Sequence, residues 1–216
     1  MKHYDLIVFD LDGTLADTST GIYNAIRYTQ AKMGLYPPET EEQMRSHIGP
    51  PVEESYHRIF GLTDDRLAQA VALHKEYSLR QGLYEASLYD GMETLLPMLK
   101  TRFRLAVATL KFEETAIEML SRLKVAACFT TICGATPGIP ESKKQILERC
   151  LSVCRCRKES ALLIGDSLYD AIGAEQAGID FVGVTYGFGF ASRDDADSFR
   201  NEGCADDVEQ LKKILL

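Results

Sequence analysis

"YDLIVFDLDGTLAD", residues 4–17, carries four successive apolar residues, Leu6 to Phe9, into Asp10, Leu11 and Asp12. An apolar run without alternation reads as a strand buried on both faces, which belongs in a parallel sheet. Such a strand does not end in two carboxylates placed two apart unless a counter-charge holds them there.

Similar short apolar runs recur at 105–108, 129–133, 162–164 and 181–184. Helical stripes lie between them, with Ala116, Leu120 and Leu123 in one and Ile146, Cys150 and Leu151 in another. Continuous apolar strands alternating with amphipathic helices predict an α/β fold, a Rossmann-like parallel sheet covered on both faces. The final "DDVEQLKKILL" predicts a capped amphipathic helix with Val208, Leu211 and Leu215 on one side.

Residues 16–86 break the alternation. They show helical periodicity through Ile22, Ile26, Thr29 and Met33, then Leu67, Val71 and His74, and no convincing strand. Turn signals "GLYPPET" (34–40) and "IGPPVEES" (48–55) punctuate them. The expectation is an inserted all-helical cap domain at 16–86, with 1–15 and 87–216 forming the α/β core. His74 falls on an apolar face there and reads as a packing histidine.

Composition narrows the function. The 216 residues suffice for one sizeable core or a core plus a small appended domain. A net charge of -8 argues against nonspecific binding to nucleic acid or an anionic membrane. No apolar run approaches a membrane span, and "MKHYDLIVF" is too short an apolar stretch for a signal peptide, so a cytoplasmic protein is expected. Cys150, Cys154 and Cys156 cluster without a nearby histidine or a second zinc-type pair. They read as reduced thiols, the first two on a core-facing stripe.

Ligands of open parallel sheets bind beyond the carboxyl ends of the strands, where strand order reverses. The ends here read "DLDGT", "VATLK" and "LLIGDSLYD". A parallel sheet would bring Asp10, Asp12, Asp166 and Asp170 to one edge, and carboxylates that close repel unless a hard cation or a lysine lies among them. An all-oxygen set of this kind suits Mg²⁺.

"VFDLDGTL", Thr109, a lysine at 143–144 before a helix, and "IGDSLYDAIGAEQAG" resemble the four motifs of the haloacid dehalogenase superfamily. "IGPPVEES" and "VTYGFG" resemble its phosphoglycolate-phosphatase-like branch. The resemblance implies a phosphatase acting on a small phosphorylated metabolite, as a monomer or homodimer. Asp10 would be the nucleophile and Asp12 the general acid and base, with Thr109 and Lys143 assisting catalysis. Mg²⁺ would be held by Asp10, the backbone carbonyl of Asp12, Asp166 and, directly or through water, Asp170. Leu11, Thr109, Leu110 and the lysine would bind phosphate, with Gly13 and Thr14 shaping the loop.

Leu110 stands where the family often has Asn, leaving a backbone N–H but no side-chain amide. "ESKKQIL" offers Lys143 and Lys144, and the apolar pattern that follows favours Lys143. A phosphosugar mutase and a non-catalytic metal-binding domain are the alternatives. Thr14, where such mutases tend to have Val, tilts against the first, and retention of the aspartates and a lysine against the second. Phosphoglycolate, a nucleoside monophosphate, pyrophosphate and a sugar phosphate all suit the core chemistry. Arg45, His47 and the "GPP" loop are the candidate contacts for specificity.

Overall fold

The computed structural model describes residues 3–35 and 40–216; the "GLYPPET" turn falls partly outside them. In chain order the elements begin with β1 (Leu6–Phe9), β2 (Ala16–Asp17), and helices α1 (Ser19–Met33), α2 (Glu41–Arg45), α3 (Val52–Phe60) and α4 (Asp64–Arg80). Then come β3 (Ser87–Leu88), α5 (Met92–Lys100), β4 (Arg104–Phe112), α6 (Glu113–Arg122), β5 (Thr131–Ala135) and α7 (Lys143–Val153). The chain continues through β6 (Ala161–Gly165), α8 (Leu168–Ala177), β7 (Asp180–Val184), α9 (Arg193–Asp197), β8 (Cys204–Ala205) and α10 (Val208–Leu215).

Six strands form one parallel sheet in the order β5-β4-β1-β6-β7-β8. The chain leaves β1 toward β4 on one side and returns to β6 on the other, so β1 sits at the switch point. Its alternate side chains feed two separate cores. Ile7 and Phe9 pack with Leu95, Met119 and Leu211 on one face, and Leu6 and Val8 with Ile146, Leu147 and Ala171 on the other. Burial on both faces is why the strand lacks polar alternation.

The apolar runs at 105–108, 129–133, 162–164 and 181–184 all contribute to strands. β4 runs beyond its apolar stretch to Phe112, with a register shift against β5 between Ala108 and Phe112. That extension carries Thr109, Leu110 and Lys111 along the strand. The final helix forms as expected: Asp207 Oδ1 accepts from the Gln210 N–H at 2.7 Å, and Val208, Leu211 and Leu215 are buried. Cys150 and Cys154 lie in the second core as free thiols.

Two strand pairings escaped the sequence reading. β8 adds a two-residue edge to the sheet, and β2 pairs antiparallel with β3. Two residues are too few to display a period of two. The second pairing corrects the expectation of a strand-free 16–86, because Ala16–Asp17 are strand. It ties the chain entering α1–α4 to the chain leaving them, placing both connections side by side.

Candidate active site

Asp10 follows the last residue of β1, and its N–H bonds the Ile164 carbonyl of β6 at 2.9 Å. The strand ladder therefore carries on to Asp10 and holds its backbone in place. Asp166 follows β6, and Asp170 lies in the first turn of α8. The carboxylates of Asp10, Asp166 and Asp170, all buried, each offer an oxygen within 4.8 Å of the others. Asp12 is separate: both its oxygens meet the Lys111 ammonium, at 2.9 and 3.1 Å. The expected gathering of four side chains thus becomes three plus one, because Asp12 has a cation of its own.

Each member of the trio is held differently. Lys143, 4% exposed at the start of α7, places its Nζ 2.7 Å from Asp10 Oδ1 and 2.7 Å from Asp170 Oδ1. Asp170 Oδ2 accepts from the Ser167 N–H at 3.1 Å and its hydroxyl at 2.6 Å. Asp166 Oδ2 accepts from the N–H groups of Phe188 and Gly189 at 2.8 and 3.0 Å, and Oδ1 from the Thr14 hydroxyl at 3.2 Å. Space around these groups is tight. A Cβ at Gly13, whose φ is +83°, would lie 2.3 Å from Asp166 Oδ2, so only glycine lets this turn pass the carboxylate. A Cβ at Gly173 would lie 2.6 Å from Lys143 Cγ, so a bare position on α8 admits the lysine stem.

Burial dominates the electrostatics. It pushes the Asp10 carboxyl up to about 7, against the attraction of Lys143 and with the repulsion of Asp170 and Asp12. It also pushes Asp166 up to about 8, with Asp170 and Asp10 adding to the rise and the Phe188 and Gly189 N–H groups opposing it. Lys143 rises above the ordinary ammonium range: burial works against the charge, but Asp10 and Asp170 prevail. One ammonium thus pairs with two of the three buried carboxyls, Asp10 and Asp170, and none with Asp166, which leaves room for further positive charge. Three hard oxygen donors at this spacing fit a small divalent cation.

Thr109 is buried at the end of the apolar part of β4, and its Oγ1 accepts the Lys111 N–H at 3.2 Å. Leu110 is buried in the second core, so the place often taken by an amide is here an apolar packing position. Asp10, Asp12, Thr109, Leu110 and Lys143 line one cavity. His47, Gly49, Pro50, Ser55, Tyr56 and His74, from the helical segment 19–80, line its other side. His74 packs as expected, with Nδ1 3.1 Å from the Tyr56 hydroxyl. Burial keeps both histidines uncharged, pushing His47 down to about 4 and His74 to about 3.

Arg45 departs from its expected place as a substrate contact. Its guanidinium instead donates to the carbonyls of Phe188 and Gly187 at 2.9 and 3.3 Å, in the loop that supplies the Asp166 donors. The sequence reading quoted "VATLK" and "VTYGFG" but did not foresee that Lys111 would pair with Asp12 or that this loop would donate to Asp166. The glycines of "YGFG" were a signal of close backbone approach, since a Cβ at Gly187 would fall 2.5 Å from Asp166 Oδ2. Nothing local marked Lys111, whose partner lies 99 residues away.

A family model described as haloacid dehalogenase-like hydrolase matches residues 7–184, spanning Asp10, Asp12, Thr109, Lys111, Lys143, Asp166 and Asp170 and stopping just short of the 187–189 loop. The chain belongs to that family. It is 37% identical to the tyrosine-protein kinase PtkA of Mycobacterium tuberculosis over 97% of this chain and 72% of that one. It is 31% identical to a 5'-nucleotidase of Pseudomonas aeruginosa, over 98% and 96% of the two chains. A phosphoglycolate phosphatase of Chromobacterium violaceum is also 31% identical, over 91% and 92%. The solved haloacid dehalogenase-like family protein SP0104 from Streptococcus pneumoniae superposes with a TM-score of 0.89 at 31% identity, covering 100% of both chains. The resemblance read from the four motifs therefore holds for the family and for its phosphoglycolate-phosphatase-like relatives.

Proposed function

We propose that this haloacid dehalogenase-type phosphatase hydrolyses a small phosphate monoester through an aspartyl-phosphate on Asp10, with Mg²⁺ as cofactor. The observation that carries the reading is the meeting of the Asp10, Asp166 and Asp170 carboxylates at the switch point of the sheet, with Lys143 paired to Asp10 and Asp170. Asp10, Asp166 and Asp170 would hold the ion, with the Asp12 carbonyl completing the protein's share. When bound, Mg²⁺ supplies positive charge that lowers repulsion between carboxylate and phosphate.

A carboxylate oxygen of Asp10 attacks phosphorus, forming the Asp10–phosphorus bond as the bond to the ester oxygen breaks. Asp12 gives its proton to the departing oxygen. In the second step Asp12 takes a proton from water, whose oxygen bonds phosphorus and releases inorganic phosphate and free Asp10. Lys143, the Thr109 hydroxyl and the N–H groups of Leu11 and Leu110 neutralise the equatorial oxygens, where charge resides in transfer.

The helices at 19–80 act as a lid joined to the core through the β2–β3 pair. They supply half of the cavity wall, so the substrate is small. The 5'-nucleotidase and phosphoglycolate phosphatase among the relatives support this class. The test is phosphate release from a panel of phosphorylated metabolites, with Mg²⁺ and with chelator, by the intact protein and by Asp10→Asn. Metal-dependent release that falls at least about 1,000-fold in the variant is expected. Metal-independent release, near-normal turnover by the variant, or transfer to an acceptor other than water would each overturn the reading.

A further inference from the structure

Two groups in the cavity have no part in the chemistry above. Ser55 of α3 and Thr115 of α6 line it, each 2% exposed, and neither hydroxyl oxygen has a hydrogen-bond partner among the described residues. A buried hydroxyl without a partner carries a desolvation cost that a ligand can relieve. The third group is Lys111. Among the described residues, it and Lys143 are the ammonium-bearing residues that line the cavity, and Lys143 is bound to Asp10 and Asp170. Among the described residues the Lys111 ammonium is bound to Asp12 alone, and both side chains of that pair are 12% exposed.

We propose that Lys111, Ser55 and Thr115 form a subsite for a negatively charged oxygen group on the leaving part of the substrate, a carboxylate or a second phosphate. The assignment rests on the phosphatase reading and names its substrate class. The ligand's oxyanion accepts from the ammonium and from both hydroxyls, relieving their unpartnered state. The imidazoles of His47 and His74 and the Tyr56 hydroxyl line the same cavity without adding charge, and Lys143 is already paired with Asp10 and Asp170, so Lys111 is the cation placed to receive an anion. The incoming anion also competes with Asp12 for the ammonium. Binding the correct leaving group therefore loosens the ion pair that occupies both oxygens of Asp12, the group that must protonate that same leaving group. Because Ser55 comes from the lid segment and Thr115 from the core, the anion also bridges the two.

The experiment is calorimetric binding of three non-hydrolysable probes to the full chain with saturating Mg²⁺: phosphonoacetate, ethylenediphosphonate and uncharged-tailed propylphosphonate. The intact protein should bind at least one charged-tail probe about 10-fold or more tightly than propylphosphonate, as a charge-assisted bond permits. The better of the two charged tails names the natural group. Lys111→Met should erase the preference, Lys111→Arg should restore part of it, and Lys144→Met, on the exposed side of α7, should keep it. Ser55→Ala and Thr115→Val should each lower charged-tail affinity about threefold relative to propylphosphonate. Equal binding of all three probes by the intact protein, or a preference that survives Lys111→Met, would overturn the subsite. Binding does not depend on turnover, so loss of the phosphatase reading would register separately, as absence of phosphate release.

Discussion

Lys143 Nζ stands 2.7 Å from Asp10 Oδ1, while Lys144, the next residue, pairs only with Glu148 at 3.7 Å on the surface of α7. One position along a helix rotates the side chain by about 100°, enough to separate a buried ligand from a solvated one. The ammonium that pairs with Asp10 is therefore the first of the two.

Lys143→Ala should abolish turnover to within assay background, and Lys144→Ala should change kcat/KM less than about twofold. Lys143→Ala should also destabilise the metal-free protein by about 3 kcal/mol, because it leaves buried carboxylates without their partner. Steady-state kinetics and urea unfolding of both variants decide the matter. The opposite ranking would assign the phosphate contact to Lys144.

The pH dependence of metal stabilisation follows from the raised carboxyls. Asp10 at about 7 and Asp166 at about 8 bind more protons folded than unfolded, so their contribution to the metal-free protein is lost as pH rises from the ordinary carboxylate range through 8. Mg²⁺ requires their ionised forms, so the rise in Tm on adding Mg²⁺ should grow from pH 6 to pH 8 and level off above. His47 and His74, pushed down to about 4 and about 3, add stability as pH rises to about 6.5 and then stay constant. Comparing Tm with and without the ion at each pH removes that background. A Mg²⁺ effect that shrinks with pH would contradict the carboxyl assignment.

The Asp12 proton role is testable through the leaving group. Asp12→Asn should slow single-turnover phosphorylation by alkyl phosphates about 1,000-fold and by nitrophenyl phosphate far less, because the aryl oxygen leaves without a proton. Equal losses for both would place Asp12 outside proton transfer. Lys111 remains in this variant, so its charge is not the variable.

Arg45→Ala removes the guanidinium from the carbonyls of Gly187 and Phe188. The same loop orients the two N–H donors on Asp166. Apparent Mg²⁺ affinity, read from Tm against metal concentration, should weaken about 10-fold, as for other groups that orient a metal ligand. Unchanged Mg²⁺ affinity would make the Arg45 contact a matter of loop packing alone.

The parallel sheet, the placing of acids at its strand ends and the helical character of most of 16–86 were all legible in the chain. They depend on local properties: a run apolar on both faces, a spacing of two or four residues, and a period near 3.6. The family motifs were legible for the same reason, since each occupies a few consecutive positions. Sequence alone therefore determined that acids capable of phosphoryl chemistry sit at the end of β1 and after β6.

Tertiary structure alone decided which charges meet. Lys111 reaches Asp12 across 99 residues and Lys143 reaches Asp10 across 133, separations at which no local pattern constrains a partner. It turned Asp12 out of the carboxylate trio, sent Arg45 to a backbone loop, and paired β2 with β3 although each has only two residues. The reason is physical: a polar side chain with several reachable partners takes the one that the packing of other elements brings within hydrogen-bond range. Here that packing includes glycines at 13 and 173 that leave room for Asp166 and Lys143.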